Sequence, residues 1–202
     1  MTGVQTCALP ILILRLSALL HDIGKIRVRT EGDGKIHFLK HELKSGEMID
    51  ELLRPLKFSN EVIKEVAFLV RNHMVCKTWG YECEHMKDKK LRRLQYECKT
   101  EERFRNLMTI IDADNKAHAA DKCMPKQVEI IFRRTEAMKA EGSDMFNYKL
   151  PLSGKEVMEL KALKPGPAVK ECLEYLMKTA FVNPLMTKEE FIKLLMGYRI
   201  RE

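Results

Sequence analysis

Apolar residues along this chain recur with the spacing of an α-helix almost from end to end. In residues 60–74, Val62, Val66, Leu69 and Val70 stand at i, i+4, i+7 and i+8, one stripe on a helical cylinder. The same reading gives helices at about 12–26, 40–53 (ending before Pro55), 100–119, 126–140 and 167–181. The segment RTEGDGK, 29–35, reads as a loop with Gly32 and Gly34 as turn residues, and 75–90 breaks the pattern as a connection. Thr100 can cap the helix after it, with Glu101 and Glu102 favourable in its first turn. Ser153 with Glu156, and Thr187 with Glu190, have capping-box spacing. Between them KPGP, 164–167, forces a turn, and Pro167 suits a first helical position. No stretch shows a convincing two-residue alternation, and there are no internal repeats or low-complexity runs. The fold class that follows is all-α.

Composition narrows the rest. With 45% hydrophobic and 32% charged residues among 202, the chain is a folded globular protein, large enough for one generous domain or a domain with an appendage. A formal net charge of +7 suits a polyanionic partner. Cys76, Cys83, Cys98, Cys123 and Cys172 are scattered rather than densely spaced, as free thiols in a reducing cytoplasm would be. The apolar run CALPILILRLSALL lacks a basic flank, is interrupted by Arg15 and is too short to span a bilayer, so neither a signal peptide nor a membrane segment is expected. Residues 1–11, MTGVQTCALPI, resemble a translated sequencing-library adapter. They are expected to be an assembly artefact, with natural sequence starting near Leu12 and its beginning lost.

The strongest chemical signal is LLHDIGK, 19–25. Two adjacent polar groups close an apolar helix, and Gly24 allows close backbone approach. Neighbouring helical residues point about 100° apart, so His21 and Asp22 reach one metal only near the helix end. Imidazole plus carboxylate suits a divalent transition metal or Mg²⁺ rather than a structural zinc, which prefers thiolates. His73, at i+4 from Leu69 and i+7 from Val66, projects from a buried face, as a hydrogen-bonded core residue or a ligand; His41 is equally ambiguous alone. Asp114 shares the apolar stripe of Phe104, Leu107 and Ile111, while Asp112 points about 200° away. A buried carboxylate needs a cation or a donor beside it. His118, one turn after Asp114, is either a partner for it or a surface residue. A zinc module of His73, Cys76, Cys83 and His85 is a further arrangement, although its spacing matches no standard finger.

Taken together, LILRLSALLHDIGK, GKIHFLKHE, VAFLVRNHM and LMTIIDAD resemble the HD-domain superfamily of metal-dependent phosphohydrolases. Within it they resemble the HD region of bacterial CCA-adding tRNA nucleotidyltransferases and related poly(A) polymerases. The tail LPLSGKEVMELKALKPGPAVKECLEYLMKTAF is similar to the segment that follows that region, so the resemblance covers about residues 12–195. It implies an HD helical bundle at 12–120, a connecting helix and linker at 121–150 and a smaller RNA-binding-like helical tail at 151–202.

By the same resemblance His21 and Asp22 are paired metal ligands and catalytic residues, Asp114 is the distal ligand, His41 and His73 are auxiliary ligands, and Lys25 lies near phosphate. The cofactor implied is a divalent ion: Mg, Mn, Ni or Fe. The implied partners are tRNA or another RNA, and a missing N-terminal nucleotidyltransferase domain in cis. Lys155, Lys161, Lys164 and Lys170, near the helix starts of the tail, and KDKKLRR at 87–93 are the candidate phosphate contacts. Three departures matter. The superfamily's first ligating His lies upstream of the HD pair and has no counterpart here. Ala162 and Lys170 stand where Gly is usual. The DAD at 112–114 is mid-helix, without the strand and Gly-Ser loop of a polymerase site, so this chain is not expected to add CCA itself. The alternative is a free-standing HD phosphohydrolase acting on a phosphomonoester or cyclic nucleotide.

Overall fold

The computed structural model describes residues 5–200. Its helices are α1 (Gln5–Leu20), α2 (Lys25–Val28), α3 (His41–Leu53), α4 (Asn60–Asn72), α5 (Asp88–Cys98), α6 (Glu101–Ala117), α7 (Gln127–Ala140), α8 (Gly154–Lys161), α9 (Pro167–Val182) and α10 (Lys188–Gly197). A 3-10 turn covers Lys77–Trp79, and the strands among the described residues are β1 (Thr30–Gly32) and β2 (Lys35–His37). The architecture is all-α, as the apolar period requires. Two compact units share it: described residues up to His85 with Arg105–Ile130, and Met86–Phe104 with Ile131 onward.

In the first unit α3 packs on α4, and α1 packs on α4 as well. The α4 stripe is buried as its spacing demands: Val62 is 4% exposed, Leu69 1%, and Val66 and Val70 are fully enclosed, with Ile49 and Leu53 from α3 against the same core. Each such side chain contributes roughly 1.5–3 kcal/mol of transfer free energy. Ser59 starts α4 by accepting the Val62 N–H.

Two local departures from the sequence reading have clear causes. The expected helix at 12–26 breaks, because α1 ends at Leu20 and residues 21–24 turn before α2. At that turn Gly24 N donates to Ser45 Oγ at 2.8 Å. A Cβ on Gly24 would lie 2.5 Å from Ser45 N and 2.6 Å from His41 O, so only glycine lets the turn touch α3. The segment expected to be a loop at 29–35 contributes to an antiparallel hairpin with Gly32 opposite Lys35. Asp33 and Gly34, with φ of 52° and 70°, form its two-residue turn. Every strand residue is exposed, so no alternation existed to be read; the Asp-Gly pair was the available signal.

The second unit buries Val157 from α8, Val169, Cys172 and Leu176 from α9, and Phe191 and Leu195 from α10. Both expected capping boxes form, Ser153 with Glu156 and Thr187 with Glu190. Helix α5, packed on α9, eluded the periodicity because its buried face mixes Leu91, Leu94 and Cys98 with Arg92 and Gln95. Arg92 donates to the carbonyls of Ser143 (3.0 Å), Phe181 (3.3 Å) and Val182 (3.4 Å), and Gln95 Oε1 accepts from Met145 N at 3.1 Å. These polar groups serve as stitches between backbone segments. No helix among the described residues is long and apolar enough to cross a membrane, and no disulfide joins Cys76, Cys83, Cys98, Cys123 or Cys172 among the described residues.

Candidate metal centre

The break after α1 leaves His21 and Asp22 on a tight turn rather than on a continuing helix, so their side chains converge. His41 arrives at the first residue of α3, preceded by Lys40 at φ 59°, and His73 at the C-cap of α4. The three imidazoles share one construction. His21 Nδ1 donates to Ala18 O (2.8 Å), His41 Nδ1 to Phe38 O (2.9 Å) and His73 Nδ1 to Val70 O (2.7 Å). A carbonyl only accepts, so each Nδ1 carries the proton and each Nε2 is turned to the centre.

Asp22 is the hub. Its Oδ1 lies 3.0 Å from His41 Nε2 and 3.8 Å from His73 Nε2, and its Oδ2 lies 3.4 Å from His21 Nε2 and 2.5 Å from Lys25 Nζ. Asp114 approaches from α6 with Oδ1 3.6 Å from His21 Nε2. The ring of His73 lies edge-on to His21, with centroids 5.0 Å apart, and tilted to His41 at 5.3 Å. His73 and His41 are buried, at 1% and 7% exposure, as the helical stripe placed His73. Lys25 also approaches the Phe38 ring, at 5.7 Å.

The electrostatics divide the histidines. The carboxylates of Asp114 and then Asp22, 3.6 and 3.4 Å from its Nε2, raise the His21 pKa to about 10, against the opposing effect of burial. Burial works to raise the pKa of both carboxylates but is outweighed. The His21 ring and the Lys25 ammonium hold Asp22 far below the usual range, and His21 with Lys77 holds Asp114 at about 2. Burial, the largest influence on His73, lowers its pKa and favours the neutral ring. Two ionised carboxylates thus lie on either side of an imidazole whose Nε2 proton a divalent cation would displace. Ligand atoms of His21, Asp22 and His73 fall within 4.8 Å of one another. This nitrogen and oxygen donor set fits a divalent cation, and thiolate is not part of it.

The structure thus brings together His21, Asp22, Lys25, His41, His73 and Asp114. It does not assemble the zinc module: His73 is turned to Asp22, and Cys83 Sγ donates to Gln127 O at 3.5 Å. In the basic run at 87–93, Lys87, Lys89 and Lys90 are exposed, but its arginines are engaged within the chain. Arg92 is buried on carbonyls, Arg93 pairs with Glu97 at 2.7 Å, and Asp88 inside the run pairs with Arg134. Lys155, Lys164 and Lys170 are exposed in the second unit, whereas Lys161 donates to Tyr198 O at 3.0 Å.

Residues missed by sequence reasoning are Ser45, Lys77, Asn115 and Gln127. Asn115 was findable, since it lies at i+4 from Ile111 and i+8 from Leu107, on the buried stripe itself. Asp112 faces away as expected and pairs with Lys116 at 2.6 Å. His118 turns back to Asp114, its Nδ1 donating to Asp114 O at 2.6 Å.

A family model for the HD domain matches residues 8–121, more than half of the chain. The chain belongs to the HD domain family. It is 29% identical over 188 residues to a CC-adding tRNA nucleotidyltransferase of Thermus thermophilus, and 30% identical over 182 residues to an A-adding tRNA nucleotidyltransferase of Deinococcus radiodurans. These similarities cover 92% and 89% of this chain and 40% of each relative, so the chain spans well under half the length of either. No solved structure matches it.

Proposed function

We propose that this chain is the HD and RNA-binding portion of a tRNA nucleotidyltransferase of the CCA-adding or poly(A)-adding kind. In that reading it works beside a nucleotidyltransferase domain in the same polypeptide, in the cytoplasm, on tRNA or another RNA. The observation that carries the reading is the extent of the likeness. Similarity to the CC-adding and A-adding enzymes runs over 92% and 89% of the chain, beyond the HD match that ends at residue 121 and into the tail.

The metal reading rests on three imidazoles whose Nδ1 atoms are tied to backbone carbonyls. Their Nε2 atoms, with Asp22 and Asp114, make a ready donor set of the kind that outer hydrogen bonds orient. When bound, a divalent ion supplies Lewis acidity toward a phosphoryl oxygen and toward water. Around it Asp22 gathers His41 and His73, the buried His73 stays neutral, and Lys25 offers positive charge at the rim for a phosphate. His21, Asp22 and Lys25 are the proposed catalytic set, and Mg, Mn, Ni and Fe are all compatible with the donors. The retention of His21, Asp22, His41, His73 and Asp114 also favours the second reading, a free-standing metal-dependent phosphohydrolase.

For RNA, Lys155 and Lys170 are 83% and 80% exposed on their side chains and pair only loosely, at 4.0 and 3.9 Å, with Glu159 and Glu174. The start of α8 is occupied by its own capping box, while α9 begins at Gly166 and Pro167 without a side-chain cap, between Lys164 and Lys170.

Two measurements test the proposal. Mn²⁺ titration should show binding to the wild type that is undetectable in Asp22→Asn; equal binding by the variant would overturn the assigned centre. A log–log salt titration of tRNA binding should slope downward, and replacing Lys155, Lys164 and Lys170 by Ala should reduce that slope by about 2–3. A slope near zero in the wild type would remove the RNA-binding role.

A further inference from the structure

One side chain at the edge of the centre is left out of the donor set although it touches that set directly. Lys77, on the 3-10 turn after α4, lies with Nζ 3.3 Å from Asp114 Oδ2, 3.4 Å from Asn115 Oδ1 and 3.5 Å from His118 Nε2. An ammonium has three N–H donors, and here it meets three acceptors. His118 fits this role. Its Nδ1 proton goes to Asp114 O, so its Nε2 lone pair is free to accept from Lys77. Lys25 is the contrast: it hydrogen-bonds to Asp22 Oδ2 and is more open, 39% against 21% exposed on the side chain.

Lys77 is itself held by a buried relay. Asn115 Nδ2 donates to Gln127 Oε1 at 3.1 Å, and Gln127 Nε2 reaches Gly80 O at 2.7 Å and Cys76 O at 3.0 Å, bracketing the turn that carries Lys77. Asn115 and Gln127 are fully enclosed, and Trp79 beneath the turn is 2% exposed. Buried amides this completely satisfied fix one arrangement of the groups they join. The two oxygens of Asp114 are therefore divided, Oδ1 toward His21 at 3.6 Å and Oδ2 toward Lys77 at 3.3 Å.

We propose that Lys77 is a positioning residue that engages Asp114 Oδ2, so that Asp114 offers Oδ1 alone to a divalent cation held with His21 and Asp22. The inference rests on the reading of this centre as a metal site. It assigns His118 and Asn115 to holding Lys77 rather than the ion, and it gives each ligand carboxylate its own lysine, the more open Lys25 on Asp22 and the more enclosed Lys77 on Asp114.

The test is a double-mutant cycle read as Mn²⁺ affinity of the full chain, with far-UV circular dichroism as the folding control. Lys77→Met should weaken Mn²⁺ binding about 10-fold or more, the usual effect of losing a group that orients a ligand. Lys77→Arg, which keeps a cationic donor, should recover most of that loss. In an Asp114→Asn background Lys77→Met should change nothing further, since the group it acts through is gone. Unchanged or tighter binding in Lys77→Met would overturn the inference, because the lysine would then only repel the ion. So would a second full loss in the Asp114→Asn background. If Lys77→Met does not fold, Lys77→Gln takes its place with the same expectations. A wild type that binds no Mn²⁺, or an Asp22→Asn variant that binds as the wild type does, would instead remove the metal reading and this inference with it.

Discussion

Buried polar side chains serve two different ends in this molecule, and helix α5 of the second unit and the histidines of the first show one each. In the second unit Arg92, on the inward face of α5, donates to the backbone carbonyls of Ser143, Phe181 and Val182, while Gln95 beside it accepts from Met145 N and donates to Thr135 Oγ1. In the first unit His41 and His73 are as deeply buried, yet only one nitrogen of each goes to backbone; the other points at Asp22, shared with His21 and Lys25. Burial therefore says little about role. The deciding feature is where the polar atoms go: to the chain's own carbonyls, which makes a stitch, or to one another around a common point, which makes a site. Stability and function should separate along the same line.

The largest expected effect that tests this separation is on a stitch. Arg92→Met strands the buried carbonyl of Ser143 and removes the donor to the part-buried carbonyls of Phe181 and Val182, and urea unfolding should show a loss of about 3 kcal/mol with Mn²⁺ affinity unchanged. Weakened metal binding at full stability would break the comparison. Gly24→Ala sits where the two roles meet, because the new Cβ would overlap Ser45 N and His41 O. The chain must shift, at a cost of about 1–3 kcal/mol, and His41 moves relative to Asp22, so both stability and Mn²⁺ binding should fall. Loss of one alone would show the turn and the centre to be independent.

The smallest effect is a pH dependence at a surface cap. Glu156 has its pKa lowered from 4.5 to about 2, first by the ion pair with Lys188 and then by Ser153. A folded pKa below the unfolded one gives stability that is present above about pH 4.5 and lost as pH falls through about 2. The advantage of wild type over Glu156→Gln in denaturant midpoint should therefore fade across that interval. A constant advantage down to pH 2 would mean that the cap acts without its charge.

How much of this was legible depended on whether the cause was local. The stripe of α4, the capping boxes at Ser153 and Thr187 and the separation of Asp114 from Asp112 follow from residue spacing alone, because a helix fixes which residues share a face. His73 was placed on a buried face by the same argument. What spacing leaves open is what a buried group meets. The break at residues 21–24 depends on Ser45 and His41, both distant in sequence, and the hairpin at β1 and β2 has no buried face to leave a pattern. Helix α5 hid because Arg92 and Gln95 look like surface residues until the groups they bond, carbonyls for Arg92 and Met145 N with Thr135 Oγ1 for Gln95, fold back onto them.

The sequence by itself determined the helical class, the buried face of α4 and the capped starts of α8 and α10, since these obey short-range geometry and local hydrogen bonding. Only the tertiary structure decided that His41, His73 and Asp114 gather around His21 and Asp22, that Arg92 is a stitch rather than a phosphate contact, and that Lys77 stands behind Asp114. Those relations join residues dozens of positions apart, and no periodicity along a chain encodes the direction in which a side chain meets another helix.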